Sequence, residues 1–382
     1  MEFTFSAEQE LLRKELRGFL ETESPKSEIK KIQAGELGYS PDLWKKMADL
    51  GWLGLILPEE YGGVGGSLVD LAVLFEEVGR AVFPGPLFST IVLGVLPILE
   101  HGSEQQQRDI LPGVARGEVI LTMALTEPQA DYQPRFFTTR AVKNREGFAI
   151  NGSKLFVQNA HIADYMLVVA RTGRIKAAGE GISVFFVPGK ARGLDLSPLA
   201  TITYDKQFEV GFRRVRCSTG DILGSLGRGS SVVDSTLRKA TAIQSVQMVG
   251  VAQKALEMTA GYAATRMQFE RPIGSFQAVQ HRIADMMTDV EGARWTSYQA
   301  VWRISKGLPV DRDLPIAKAW TSDACQRVTA GAQHIHGGVG MDLDYDLHYY
   351  FRWSKTLELN LGSAPVHKKA GEEAIIKNLL AA

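Results

Sequence analysis

Two cysteines, Cys217 and Cys325, are all that the 382 residues contain. That is too few for a disulfide framework or a cysteine-rich metal site. A charge excess of one sign is also missing, since Lys plus Arg is 43 and Asp plus Glu is 43. Without a basic excess the chain lacks the footprint of a nucleic-acid-binding protein. No apolar run reaches the length of a membrane span; the longest, Phe88 to Leu99, is broken by Gly94 and Pro97. The opening residues carry Glu2 and Glu8 and lack the basic-then-apolar order of a secretory signal. No repeat or low-complexity tract is evident. These absences point to a soluble, cytoplasmic protein. What is present is ordinary for a globular chain, with 45 % hydrophobic and 23 % charged residues. The length suits two or three domains and a core large enough to enclose a cofactor.

The texture changes twice. Up to about residue 120 it is helical. Ser6 with Gln9 reads as a capping box, Ser40-Pro41 as a second helix start, Ser67 with Asp70 as a third and Ser103 with Gln106 as a fourth. The second of these four helices is expected to stop at Gly51 and the last before Pro112. From Leu121 to about Leu226 the period is closer to two. Thr138 to Val142, Gly147 to Val157, Tyr165 to Ala170, Ile182 to Val187 and Gln207 to Phe212 read as strands, punctuated by Asn151-Gly152 and Pro188-Gly189. From about Ser230 helical spacing returns, with Val246, Val249, Ala252, Leu256 and Ala260 on one stripe. Further helices are expected over Phe276 to Gly307, Leu314 to His334 and from Ala364 onward. The glycine clusters at Gly62 to Gly66 and Gly337 to Gly340 follow no strand and have the wrong spacing for a phosphate loop or dinucleotide fingerprint.

Four segments stand out: Leu57-Pro58-Glu59-Glu60-Tyr61-Gly62-Gly63; Leu125-Thr126-Glu127-Pro128; Arg266-Met267-Gln268-Phe269 followed by Arg271-Pro272-Ile273-Gly274-Ser275-Phe276-Gln277; and His336-Gly337-Gly338-Val339-Gly340. In this order and with these gaps they resemble the acyl-CoA dehydrogenase superfamily over essentially the whole chain. The resemblance implies an α+β multidomain fold: a helical N-terminal domain over 1–120, a middle β-barrel over 121–228, and a C-terminal four-helix bundle over 229–382. It also implies FAD as cofactor, an acyl-CoA thioester as substrate and electron transfer flavoprotein as acceptor. FAD would lie at a dimer interface, so the chain would form a homo-oligomer or a heteromer with a second chain of the same kind. No metal, nucleic acid or membrane enters this picture.

On this resemblance Arg266 offers a fixed charge and forked donors to the FAD pyrophosphate; the alternative is an arginine on a solvated helix face. Phe269 would lie against the cofactor or the partner subunit, or else pack in a core. Gln277, 11 residues after Arg266, would reach the same FAD or be a surface amide. Gly337 and Gly338 would let backbone N–H groups approach phosphate of the neighbouring subunit's FAD. Leu125 and Thr126 would face the flavin, with a plain strand position as the alternative for Thr126. Phe156 stands where the family commonly has Trp against the isoalloxazine ring, and a barrel-core Phe is its rival. His334 and Ser363 complete the set of flavin contacts.

The departures are as informative. The family desaturates an acyl-CoA: a glutamate removes the α-proton while the β-hydrogen leaves as hydride to the flavin. The base must be a carboxylate, to accept a proton near neutral pH. The family places it at one of two positions, which here are Leu361 and Ala240. Gln247, seven residues after Ala240 and on nearly the same helix face, can orient a thioester but cannot take a proton; its rival role is an interhelix amide. Glu358 is the carboxylate nearest in sequence to the expected C-terminal site, and His367 is structural or adenine-facing. The flavin loop is also altered at Gln129-Ala130-Asp131-Tyr132-Gln133, and Glu270 stands where Gly usually follows the Phe. Three readings follow: a desaturase subunit whose partner supplies the glutamate; a different flavin reaction, desulfinase- or monooxygenase-like; or a non-catalytic partner subunit.

Overall fold

Four serines open helices where their spacing predicts. The computed structural model describes residues 4–128, 137–173 and 181–381, so the altered loop at Gln129–Gln133 lies outside the described residues. Capping boxes are formed by Ser6 and Gln9 before α1 (Ala7–Glu23), by Ser67 and Asp70 before α4 (Leu68–Ala81), and by Ser103 and Gln106 before α6 (Glu104–Ala115). Helix α2 (Lys26–Ala34) lies between α1 and α3 (Pro41–Asp49). Ser40 accepts from the Leu43 N–H at 3.3 Å, and Pro41 opens α3. The apolar run becomes a π-helical stretch, Phe88–Val95, continuing into α5 (Leu96–His101). Helix α6 does not stop before Pro112 but runs through it to Ala115. Leu111 and Val114 are fully buried there, and that burial outweighs the one lost helical hydrogen bond.

The middle of the chain is a sheet of eight strands: β1 (Leu121–Ala124), β2 (Arg140–Asn144), β3 (Gly147–Gln158), β4 (Tyr165–Arg171), β5 (Ile182–Pro188), β6 (Leu194–Leu199), β7 (Gln207–Cys217) and β8 (Ile222–Leu223). Their order is β6-β7-β3-β2-β4-β5-β8, with β1 parallel to β4. The sheet curls into a barrel around one core. Phe148 of β3 and Phe185 of β5 are not on neighbouring strands, yet their ring centroids are 5.3 Å apart, beside Val210 and Phe212 of β7. Strand β2 begins at Arg140, not Thr138, because Thr138 and Thr139 are engaged by Glu127.

The rest is helical: α7 (Gly229–Thr265), a hairpin of β9 (Met267–Gln268) and β10 (Arg271–Pro272), α8 (Gln277–Ser305), α9 (Asp313–His336), α10 (Gly338–Met341), α11 (Leu347–Leu359) and α12 (Ala364–Ala381). The chain forms two compact units. One comprises Lys30–Gly66 and Pro84–Ala240, including the barrel; the other comprises Met1–Ile29, Ser67–Phe83 and Thr241–Ala382. In the second unit Met248, Val251, Met286, Val290, Cys325, Val328 and Tyr350 share the bundle core. Helices α4 and α7 touch backbone to backbone. A Cβ at Gly79 would collide with the Gln247 carbonyl oxygen, and one at Gly250 with that of Glu76. Glu77 of α4, buried, is bonded twice by Arg17 of α1 at 2.7 and 3.0 Å. Glu76 accepts from the Tyr298 hydroxyl at 2.6 Å and pairs with Arg294. Among the described residues no helix is long and apolar enough to cross a membrane.

Candidate active site

In the barrel unit, the segment after β1 is fastened from below. Thr126 lies beyond the end of β1, which excludes a plain strand position, and its carbonyl accepts the Leu155 N–H at 2.8 Å. Leu125 is buried and Thr126 half-buried. Next to them Glu127 accepts from Lys154 Nζ at 2.8 Å, from the Thr138 hydroxyl at 2.6 Å and from the Thr139 N–H at 3.1 Å. Lys154 Nζ also donates to the Leu125 carbonyl at 2.9 Å and sits 4.2 Å from the centroid of the Phe137 ring. Burial alone would raise the Glu127 carboxyl; the Lys154 ammonium and the Thr138 contacts outweigh it and hold the group ionised, well below the usual carboxylate range. Burial pulls Lys154 down, and Glu127 opposes that pull. The sequence did signal this pair. Phe148, Ile150 and Lys154 share one parity on β3, and a lysine on the inward face of a strand requires a buried partner.

Phe156 breaks that parity. A register shift between Lys154 and Val157 puts it in the left-handed region at φ 57°, and Val157 takes the inward place. Phe156 is 52 % exposed, so the barrel-core reading is excluded.

In the helical unit, α7 ends at Thr265 and the hairpin follows. The Arg266 carbonyl accepts the Ile273 N–H at 2.8 Å, closing the hairpin's base. Arg266 is exposed and has no ion pair among the described residues. Phe269, at the apex, is 85 % exposed, which excludes core packing; it meets Phe276 edge-on at 6.0 Å. Phe269 and Glu270 are both left-handed, with φ 52° and 65°, a two-residue turn that favours glycine. Gln277 is the exposed first residue of α8. His334 is exposed near the end of α9. Gly337 closes α9 at φ 63° and Gly338 opens α10; a Cβ at either would meet nothing within 4 Å. His336 anchors this loop. It is stacked on Tyr262 at 4.3 Å, with its Nε2 3.1 Å from the Tyr345 hydroxyl.

The two positions where the resemblance leads one to expect the glutamate carry Ala240 and Leu361. Ala240 is fully buried in α7, and Gln247 is 5 % exposed on the same helix. Leu361 is half-buried between α11 and α12 in a left-handed turn, φ 58°, followed by Gly362 at 95° and the half-buried Ser363. This turn is held by two basic side chains. Lys318 Nζ donates to the Leu357 carbonyl at 2.6 Å and the Glu358 carbonyl at 3.3 Å, and lies 3.6 Å from Met248 Sδ. His367 Nε2 is 2.9 Å from the Leu361 carbonyl. Burial pushes Lys318 down to about 7, against the opposing pull of Glu358 and Cys325. Burial lowers His367 as well. The Glu358 carboxylate is turned to Lys355. Lys318 was missed in the sequence although Leu314, Thr321, Cys325 and Val328 put it on the apolar stripe of α9.

Sequence profiles of three domains match in turn: the acyl-CoA dehydrogenase N-terminal domain over residues 6–118, the middle domain over 122–215 and the C-terminal domain over 227–376. The chain belongs to the acyl-CoA dehydrogenase family. It is 31 % identical over 386 residues to the probable acyl-CoA dehydrogenase YngJ of Bacillus subtilis (strain 168), spanning 99 % of this chain and 100 % of that one. It is 29 % identical over 388 residues to the caffeyl-CoA reductase-Etf complex subunit CarC of Acetobacterium woodii, spanning 98 % and 99 %. The crystal structure of the ChsE4-ChsE5 complex from Mycobacterium tuberculosis contains a chain that is 29 % identical and superimposes with a TM-score of 0.89 over 98 % of this chain and 99 % of its own. Acyl-CoA dehydrogenases are FAD-dependent oxidoreductases acting on the CH–CH bond of acyl-CoA.

The residues present fit that cofactor. Phe156 presents an open aromatic face beside the Thr126 segment. Arg266 is a fixed cation without a protein carboxylate, and Gly337 and Gly338 expose backbone with no side chain in the way. These are the donor types that a flavin ring and a pyrophosphate require.

Proposed function

We propose that this chain is a subunit of an acyl-CoA dehydrogenase that desaturates the Cα–Cβ bond of a CoA thioester, with the carboxylate base supplied by a second chain of the same family. One observation carries the reading. The turn at Leu361 is held firmly by Lys318 and His367, yet neither Leu361 nor Ala240 is a base. A scaffold kept without its base suits a paired subunit, and a complex of two chains is known for the structural relative above. FAD, when bound, supplies the hydride acceptor. Leu125, Thr126 and Phe156 form one set of flavin contacts, with the Glu127–Lys154 pair beneath them fixing where that segment lies. Arg266, Phe269, Gln277, His334 and Ser363 form the other, and Gly337 and Gly338 serve the FAD of a neighbouring subunit. Gln247 orients the thioester. Electron transfer flavoprotein is the acceptor, in keeping with the Etf complex of the Acetobacterium woodii relative, and the cytoplasm is the setting.

The test is an anaerobic titration of the purified protein with butyryl- and octanoyl-CoA, following flavin absorbance. The protein alone is expected to bind FAD and to bleach slowly. Leu361→Glu should speed bleaching by about 10²–10⁴-fold, at no extra backbone cost, since Leu and Glu are equally disfavoured at this φ. Arg266→Ala should lose FAD. Rapid bleaching by the unmodified homo-oligomer would overturn the missing-base argument and make Glu358 the first suspect. Full FAD occupancy with no bleaching in any variant would favour a desulfinase- or monooxygenase-like reaction. A protein without flavin would favour a non-catalytic subunit.

A further inference from the structure

The barrel carries a second feature that none of the flavin or substrate residues touches. Opposite Asn151 of β3, strand β7 has two residues where the register calls for one: Ile150 faces Val215 and Gly152 faces Phe212, leaving Arg213 and Arg214 together. This is a β-bulge, and it overrides strand alternation. Phe212, Val215 and Cys217 point into the core, while Arg213, Arg214 and Arg216 are all exposed. Arg214 adopts a left-handed φ of 54°, where a non-glycine residue is strained. The bulge is pinned by Asn151 Oδ1, which accepts the Arg214 N–H at 3.0 Å, and by the Gly193 carbonyl, which accepts the Arg213 N–H at 2.9 Å.

These three arginines and Arg192, from the loop before β6, line a recess of about 750 Å³ together with the smaller residues Asn144, Ala149, Ala191 and Gly193. The charge there is not balanced. Arg213 pairs with Asp195 at 3.1 Å and Arg216 with Glu146 at 3.2 Å, both on the surface. Such exposed pairs are weak and are given up to a stronger anion. Arg192 and Arg214 have no ion pair among the described residues. On a chain of zero net charge, four arginines line one recess, and the bulge with its strained Arg214 adds one of them to the exposed face.

We propose that this recess binds a compact polyphosphate group, such as the di- or triphosphate of a nucleotide. Guanidinium forks match phosphate oxygens two at a time. A concave recess whose other lining residues are small admits a compact group of high charge density. An acidic protein surface carries its charge spread out and would meet the rim first.

The test is isothermal titration of the FAD-bound protein with orthophosphate, pyrophosphate and tripolyphosphate at fixed ionic strength. Saturable binding is expected, tightening in that order. Arg192→Ala and Arg214→Gly should each weaken tripolyphosphate binding by about tenfold or more. Arg214→Gly is the telling variant, because glycine suits the left-handed backbone: the bulge stays and the melting temperature does not fall, so lost binding cannot be blamed on lost fold. Tripolyphosphate binding unchanged in both variants would overturn the proposal, as would a non-saturating response. Poly-L-glutamate binding as tightly at equal charge would also overturn it and assign the face to an acidic protein.

Discussion

Lys154 in the barrel and Lys318 in the bundle are both shut away from solvent. Lys154 meets a carboxylate at 2.8 Å and one carbonyl. Lys318 meets two carbonyls and a thioether, while the nearby Glu358 carboxylate is committed to Lys355. The carbonyls of Leu357 and Glu358 are the unpaired, partly negative end of α11, a weaker counter-charge than an ionised carboxyl. The same burial therefore produces different groups. In the barrel it makes an obligatory ion pair that locks the Thr126 segment. In the bundle it leaves an amine held by backbone carbonyls rather than a carboxylate, which fixes the Leu361 turn; burial lowers both lysines, Lys154 to about 8 and Lys318 to about 7.

The largest expected effect tests the barrel side. Lys154→Met leaves Glu127 ionised and buried with its threonine donors only. It should cost about 3–5 kcal/mol in urea unfolding. A loss below about 1 kcal/mol would mean the pair is not obligatory and the contrast fails.

The bundle side should respond less, and differently. Lys318→Met leaves two carbonyls without their donor, worth about 1–2 kcal/mol at pH 7. Its signature is in the pH dependence. The folded protein releases the Lys318 proton near 7, whereas the unfolded chain keeps it to about 10.5. Between those values the unfolded state binds more protons, so Lys318 makes stability rise with pH across this window. Lys318→Met should remove that part of the slope, seen by comparing urea midpoints of the two proteins at pH 7 and pH 9. Parallel slopes would show that Lys318 titrates normally.

The smallest effect sharpens the comparison. Glu358 raises the proton affinity of Lys318. Glu358→Gln should change stability at pH 7 by less than about 1 kcal/mol, while moving the start of the rising window to lower pH. An unchanged window would mean that the helix end alone sets the Lys318 equilibrium.

Much of the scaffold was legible because it is encoded locally. A serine and an acceptor three residues on suffice to start α1, α4 and α6. Alternation sufficed for β3 and β7, and apolar runs of six or seven residues bounded by turn residues sufficed for β4 and β5. Elements without such signals were missed. Strand β1 is four buried residues with no alternation, β6 is half-exposed and contains Pro198, and α11 starts at Asp346 without a side-chain cap. At the site, the motif residues sit in loops and a hairpin as their glycines and prolines suggest. What holds them was harder to read. The inward parity of Lys154 on β3 calls for a buried partner, but that the partner is Glu127, in the loop after β1, is not written in any local pattern. The position of Phe156 depends on a bulge that reverses strand phase, and Lys318 is satisfied by backbone carbonyls that leave no pattern in the side chains.

The glycine contact between α4 and α7 has a consequence for the order of synthesis. Gly79 and Gly250 belong to one unit, yet the ribosome makes all of Pro84–Ala240, which belongs to the other, between these two glycines. The barrel unit has its full sequence before α7 is finished. Helix α4, with its buried Leu71, Leu74 and Phe75, must meanwhile wait for the surface that covers it. Arg17 comes from α1, so the Glu77 pair forms at once; Glu76 waits for Arg294 and Tyr298. Bringing in α7 closes a long loop, which is slow and leaves apolar surface exposed meanwhile. A nascent chain stalled before residue 241 therefore has the whole sequence of the barrel unit while the face of α4 that meets α7 is still uncovered, the kind of surface a chaperone holds.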